Sequence, residues 1–272
     1  MHAAKSLMPP RAGSGAVTLM GRLGYAARGV VYFLVGASAL ITAIRPEHRP
    51  AGPTEALQLQ HGHPIGAVFL LAVAFGLACL AAWFTVAGLT SARRAGARDW
   101  WHGVGMLGDA VVYIGFMIDV AGVALGLWHG DGERSVQSWT AWLLAQQYGR
   151  LLAGFAGTAL LVGGIGFLVW GLTGNVDREV ALPPEHKRVI RPIARYGIAG
   201  RGAAVALAGG FLLAAAIYGN PCEAHEMGGV LAALRGVTYG RVLIGLLGLA
   251  FIGSSLFDFV GAFYRRFDPA DA

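Results

Sequence analysis

Six long apolar runs separated by short polar stretches dominate the chain, at roughly residues 22 to 44, 64 to 90, 104 to 128, 148 to 174, 195 to 219 and 238 to 264. A membrane-spanning helix needs about 20 mainly apolar residues, and every run meets that length. The polar faces that helices around a soluble core require are missing. The pattern therefore predicts an all-α membrane protein of six transmembrane helices. The few polar positions inside the runs then become the informative ones.

Those positions recur. Gly24, Tyr25, Ala26, Ala27, Arg28, Gly29 in the first run matches Gly197, Ile198, Ala199, Gly200, Arg201, Gly202 in the fifth, with Gly36 and Gly209 in step. The third run carries Gly105, Met106, Leu107, Gly108, Asp109, Ala110, and then Val111, Val112, Tyr113 against Val30, Val31, Tyr32. The even-numbered runs repeat as well: Phe84 to Thr90 aligns with Phe167 to Thr173, Gly66 falls on Gly149, and Tyr148, Gly149, Arg150 matches Tyr239, Gly240, Arg241. The chain thus reads as a tail (1–21), a first helical hairpin (22–92), a second (101–174), a basic linker (175–194), a third hairpin (195–266) and a short tail (267–272). Three parallel copies of a helix pair suggest a pseudo-threefold bundle about the membrane normal; a linear packing of the same hairpins is the alternative.

Small residues at intervals of four mark close helix approach in lipid. Gly149, Ala153, Gly157 and Gly202, Ala206, Gly210, Ala214 are the two such stripes. Trp83, Trp100, Trp101, Trp128, Trp139, Trp142 and Trp170, with Tyr148 and Tyr239, lie mostly near the ends of the runs, as aromatic belts do.

Composition agrees with the pattern: 56% of residues are hydrophobic, 13% are charged and 42 are glycine, too apolar and glycine-rich for a soluble domain of this size. Basic residues fall mainly on one side. Lys5, Arg11, Arg22, Arg93, Arg94, Arg98, Arg178, Lys187, Arg188, Arg191, Arg195, Arg265 and Arg266 outnumber Arg45, Arg49, Arg134, Arg150, Arg235 and Arg241 on the other. The positive-inside rule then places both termini in the cytoplasm. Attraction to anionic head groups accounts for the net charge of +6, and no nucleic-acid recognition motif is present. Cys79 lies inside the second run and Cys222 in an outer connection, so no disulfide framework is expected. The first twenty residues lack a long apolar segment and read as a mobile or interfacial tail, not a cleaved signal peptide.

The run from Arg22 to Tyr32 (RLGYAARGVVY), the Tyr239, Gly240, Arg241 motif and the ending Gly261, Ala262, Phe263, Tyr264, Arg265, Arg266 resemble a bacterial integral-membrane family catalogued as domain of unknown function 1206. The likeness covers nearly the whole chain, from about Arg22 to Arg266. It implies three two-helix repeats and a place in the bacterial inner (plasma) membrane, and it implies no activity. Where the second and third hairpins begin their return helix with Gly149, Arg150 and Gly240, Arg241, the first has Pro64, Ile65, Gly66, Ala67.

Ionisable side chains inside membrane helices are rare and mark a site or a buried pair. At about 1.5 Å per residue, Arg28, Asp109, Arg201 and Asp258 all fall roughly 10 Å from the cytoplasmic ends of their helices, forming one layer of two positive and two negative charges. Pairing is the expected state, with Arg201 to Asp258 inside one hairpin and Arg28 to Asp109 across repeats. Such a layer admits three roles: a lock fixing which hairpin neighbours which, a gate or binding layer where Arg forks hold a carboxylate or phosphate, or contact with lipid head groups. Asp119 stands ten residues beyond Asp109 and is a candidate proton site if held in apolar surroundings.

Other signals fail. Gly103, Val104, Gly105, Met106, Leu107, Gly108 fits a dinucleotide fingerprint formally but follows no strand. His48, His61, His63 and His129, with Cys222, Glu223, His225 and Glu226, offer zinc-type ligands without regular spacing. No arrangement suggests hydrolysis, and no cofactor or metal is expected. The reading is a non-enzymatic structural or lipid-associated bundle whose partners are membrane lipids and other membrane proteins. A small-solute or ion carrier lined by the four charges is the alternative, and a membrane enzyme stands third. A water-filled cavity reaching the charged layer would favour the carrier, and a closely packed axis the structural role.

Overall fold

The computed structural model describes residues 15–45, 64–94, 100–127, 132–174, 184–220, 222, 225, 227–234 and 239–264. Eight helices are present among them: α1 (Gly15–Ile44), α2 (Pro64–Arg94), α3 (Trp100–Ala124), α4 (Gly132–Leu144), α5 (Gly149–Thr173), α6 (Pro184–Tyr218), α7 (Met227–Leu234) and α8 (Gly240–Tyr264). Six of these, α1, α2, α3, α5, α6 and α8, are long and apolar enough to cross a membrane. This is a multi-pass helical membrane protein.

The boundaries depart from expectation for identifiable reasons. The third run stops at Ala124 rather than near residue 128 because Gly126 adopts a left-handed conformation (φ 69°). The Leu127 N–H then donates to the Gly122 carbonyl (2.9 Å) and the Gly126 N–H to that of Val123 (3.0 Å), a Schellman closure. Gly219 (φ 67°) follows the end of α6 in the same conformation. At the other end, α1 begins at Gly15, within the expected tail, and α6 begins at Pro184, within the expected linker. Proline at a first helical position has its φ already set and its missing N–H is not needed there. Pro192, inside α6, lacks an N–H to continue the hydrogen-bond ladder. Two short helices, α4 and α7, occupy what the sequence offered only as outer connections.

The spanning helices pack in the order α5, α6, α8, α1, α2, α3, each against the next. The helices at the two ends of this row, α3 and α5, are consecutive spans in sequence, yet no substantial interface joins them among the described residues. The row curls. Val31 and Val35 of α1, Val120 and Val123 of α3, Ala204 of α6 and Phe251 of α8 join Leu70 and Leu77 of α2 in one buried cluster.

Glycines set the spacing of the helices. On α5 the buried stripe is Gly149, Ala153, Gly157, Gly164, Gly171, so the expected four-residue spacing passes into one of seven. Its counterpart on α6 is Gly202 and Gly209, not Gly210. A Cβ built on Gly209 would meet the Gly157 carbonyl at 2.9 Å and one on Gly202 the Gly164 carbonyl at 2.8 Å, while Gly210 faces nothing within 4 Å. A seven-residue seam is the period of left-handed helix pairs. The α1 and α8 pair meets in the same way, Gly36 against the Gly248 carbonyl (2.8 Å) and Gly248 against that of Gly36 (3.0 Å).

Candidate functional site

Arg28 and Arg201 each lie within electrostatic reach of both Asp109 and Asp258, with pairing different from that expected. Arg28 of α1 forks onto Asp258 of α8. Its Nε donates to Oδ2 at 2.9 Å and its Nη2 to Oδ1, while Nη1 donates to the Tyr113 hydroxyl of α3 at 3.2 Å. The guanidinium also lies 4.3 Å from the centre of the Tyr25 ring. Both partners are buried, the side chains 8% and 2% exposed. A bidentate Arg–carboxylate pair is among the strongest polar contacts available, and its burial means that neither member can be lost singly without stranding a charge.

The expected Arg201–Asp258 and Arg28–Asp109 pairs are absent. Arg201 has no ion pair within 4 Å among the described residues. Its guanidinium lies instead 5.6 Å from the Tyr32 ring centre on α1 and 5.4 Å from that of Phe167 on α5. Asp109 is exposed, lies within electrostatic reach of Arg201 and Arg28, and has no ion pair within 4 Å. The observed pairing has a simple cause. A hairpin's first helix meets the preceding hairpin's second helix through the glycine seam, so α1 faces α8 and α6 faces α5. The offset that sets Gly149 on Gly240 also sets Phe167 on Asp258. The same positional contact is therefore an ion pair at Arg28 and a cation–π contact at Arg201.

Sequence reasoning missed the aromatic members. Tyr113, which accepts from Arg28, stacks on Phe84 with ring centres 5.5 Å apart, and Tyr32 stacks on Phe251 at 6.0 Å. Both tyrosines were visible in the repeat but not as partners of the charges. On the side of the layer away from the start of α1, the buried cluster closes over it. Val31, Val35, Val120, Ala204 and Phe251 form that cluster, with Tyr32, Tyr113 and Phe116 packed against them.

Asp119 is half-buried on α3 and engaged in an interaction of its own, so it is not a bare carboxylate. His225 packs edge-on against Phe211, ring centres 4.8 Å apart. His48, His61, His63, His129, Glu223 and Glu226 lie outside the described residues. No group of three or more His, Cys, Asp or Glu able to hold a metal occurs among the described residues.

The family described as Domain of Unknown Function (DUF1206) matches the chain twice, over residues 23–91 and 196–265. The two matches fall on the stretches expected as the first and third hairpins. The chain is also similar to YxxB of Bacillus subtilis (strain 168), described as an uncharacterized protein, with 27% identity over 251 residues covering 90% of each chain. No solved structure matches it.

Proposed function

The chain belongs to the DUF1206 family, and on that premise we propose that it is a non-catalytic, lipid-associated membrane bundle in which the Arg28–Asp258 pair is a structural lock. It sits in the bacterial inner membrane with both termini cytoplasmic, three hairpins around a common axis. One observation carries the reading. Val35, Val120 and Phe251, each at most 1% exposed, pack with Tyr32 and Tyr113 in one buried cluster drawn from five of the six spans. A solute path along the axis would have to displace this cluster, and interiors packed at organic-crystal density do not open by small adjustments. The carrier reading keeps one supporting feature, the unpaired Arg201 and the exposed Asp109 within its electrostatic reach.

Reconstitution into sealed liposomes tests the choice. Uptake of inorganic phosphate, chloride and acetate is expected to match that of protein-free vesicles. Saturable uptake that disappears in Arg201→Gln would overturn the proposal in favour of a carrier.

A further inference from the structure

In the repeat alignment, Gly24 and Leu80 of the first hairpin correspond to Gly105 and Gly163 of the second and to Gly197 and Ser254 of the third. The outer two pairs are in hard contact: a Cβ on Gly24 would fall 2.6 Å from that of Leu80, and one on Gly197 would fall 2.9 Å from the Cα of Ser254. The middle pair is bare. Neither Gly105 nor Gly163 has anything within 4 Å, and the same holds for Gly108 and Gly166 beside them. One of the junctions in the curled row is therefore open sideways, between α3 and α5. Residues four apart share a helix face, so the bare Gly105 lies on the face of Asp109 and the bare Gly163 on the face of Phe167, which braces Arg201. The gap thus runs between a carboxylate and a guanidinium that make no ion pair within 4 Å.

We propose that this gap holds an aminophospholipid, its phosphate on Arg201, its primary ammonium on Asp109 and an acyl chain against the bare glycine faces. This rests on the lipid-associated reading above. Charge selects the ligand class. A simple anion drawn to Arg201 meets Asp109 as well, and a simple cation drawn to Asp109 meets Arg201 and Arg28, whereas a dipolar head group satisfies both ends. Arg presents a planar fork suited to phosphate, and a carboxylate gains from an ammonium that can donate hydrogen bonds, which a choline group cannot. Asp109 lies six residues inside the span that begins at Gly103, about 9 Å along the axis and so below the boundary of a roughly 30 Å hydrocarbon core; a head group reaches it only by entering the gap, not by resting at the interface. The gap opens to the bilayer while the packed cluster closes the axis beyond, which suits a ligand arriving from lipid.

The test is native mass spectrometry and thermal shift on the delipidated full-length protein in detergent, with phosphatidylethanolamine, phosphatidylcholine and phosphatidylglycerol, and with glycerophosphoethanolamine as a head group lacking chains. Phosphatidylethanolamine is expected to bind about tenfold more tightly than phosphatidylcholine, the scale of one charge-assisted hydrogen bond. Arg201→Gln should weaken every phospholipid, and Asp109→Asn should erase the preference for the primary amine while leaving phosphatidylglycerol bound. Gly163→Leu, at an open position, should narrow the gap and weaken binding without changing the stability of the lipid-free protein, so the proposal remains testable if a charge variant misfolds. Equal affinity for all three lipids, or an unaltered preference in Asp109→Asn, would overturn the aminophospholipid assignment alone. An equal effect of glycerophosphoethanolamine would exclude a lipid as the occupant. Absence of any phospholipid effect would overturn the lipid-associated reading with it.

Discussion

Removing Asp258 while keeping Arg28 isolates the contribution of the lock. Asp258→Ala leaves a guanidinium with two of its donors unanswered in a site where the intact pair is 8% and 2% exposed. Breaking a buried pair from one side costs about 3–5 kcal/mol. Arg28 retains the Tyr113 hydroxyl at 3.2 Å and the Tyr25 ring at 4.3 Å, each contributing about 1 kcal/mol. The expected loss is therefore about 1–3 kcal/mol. Replacing both partners by apolar residues of similar size, Arg28→Met with Asp258→Leu, removes the stranded charge and should return stability to within about 1 kcal/mol of the parent. The assay is reversible unfolding in mixed micelles of rising SDS fraction, followed by tryptophan fluorescence. Equal losses in the single and double variants would refute the pairing argument. Rescue of Asp258→Ala by Arg201→Met instead of Arg28→Met would show that the wrong arginine had been assigned.

Further expectations can be checked in the same preparation. Gly164→Leu should destabilise by about 1–3 kcal/mol through overpacking, because a Cβ there meets the Gly202 carbonyl at 2.8 Å; Gly166→Leu, facing open space, should be nearly neutral. Ser254 is buried with no hydrogen-bond partner for its hydroxyl, so Ser254→Ala should be neutral or raise stability by up to about 1 kcal/mol in the unfolding assay. An impermeant maleimide should label exposed Cys222 on intact cells and spare buried Cys79 until denaturation; labelling of Cys222 only after cell disruption would invert the proposed topology.

All six spans were legible because an apolar run of sufficient length in a chain with so few charges admits little else. Counting along each helix also grouped the four charges. Their partners were not legible, because depth says nothing about azimuth, and proximity within one hairpin is a poor guide when the tightest seams join different hairpins. The signal was present: the two offsets used to align the return helices, applied together, put Asp258 at the position of Phe167 and Phe84. The helix Gly132–Leu144 escaped because it is short and carries charge, so no test based on long apolar runs detects it. The change from a four- to a seven-residue glycine spacing on α5 was also hidden, since its 25-residue helix holds glycines on several faces.

The lock joins the first spanning helix to the last, 230 residues later. At roughly 5–20 residues per second of synthesis, that separation is about 10–50 s. Throughout this interval the arginine of α1 lacks the carboxylate that forks with it in the finished bundle, and a long side chain in that position can reach toward the interface. Nascent chains cut short before Asp258 never leave that condition. The bond that secures the bundle therefore also distinguishes chains that have reached Asp258 from those that have not, and gives membrane quality control a chemical difference to act on.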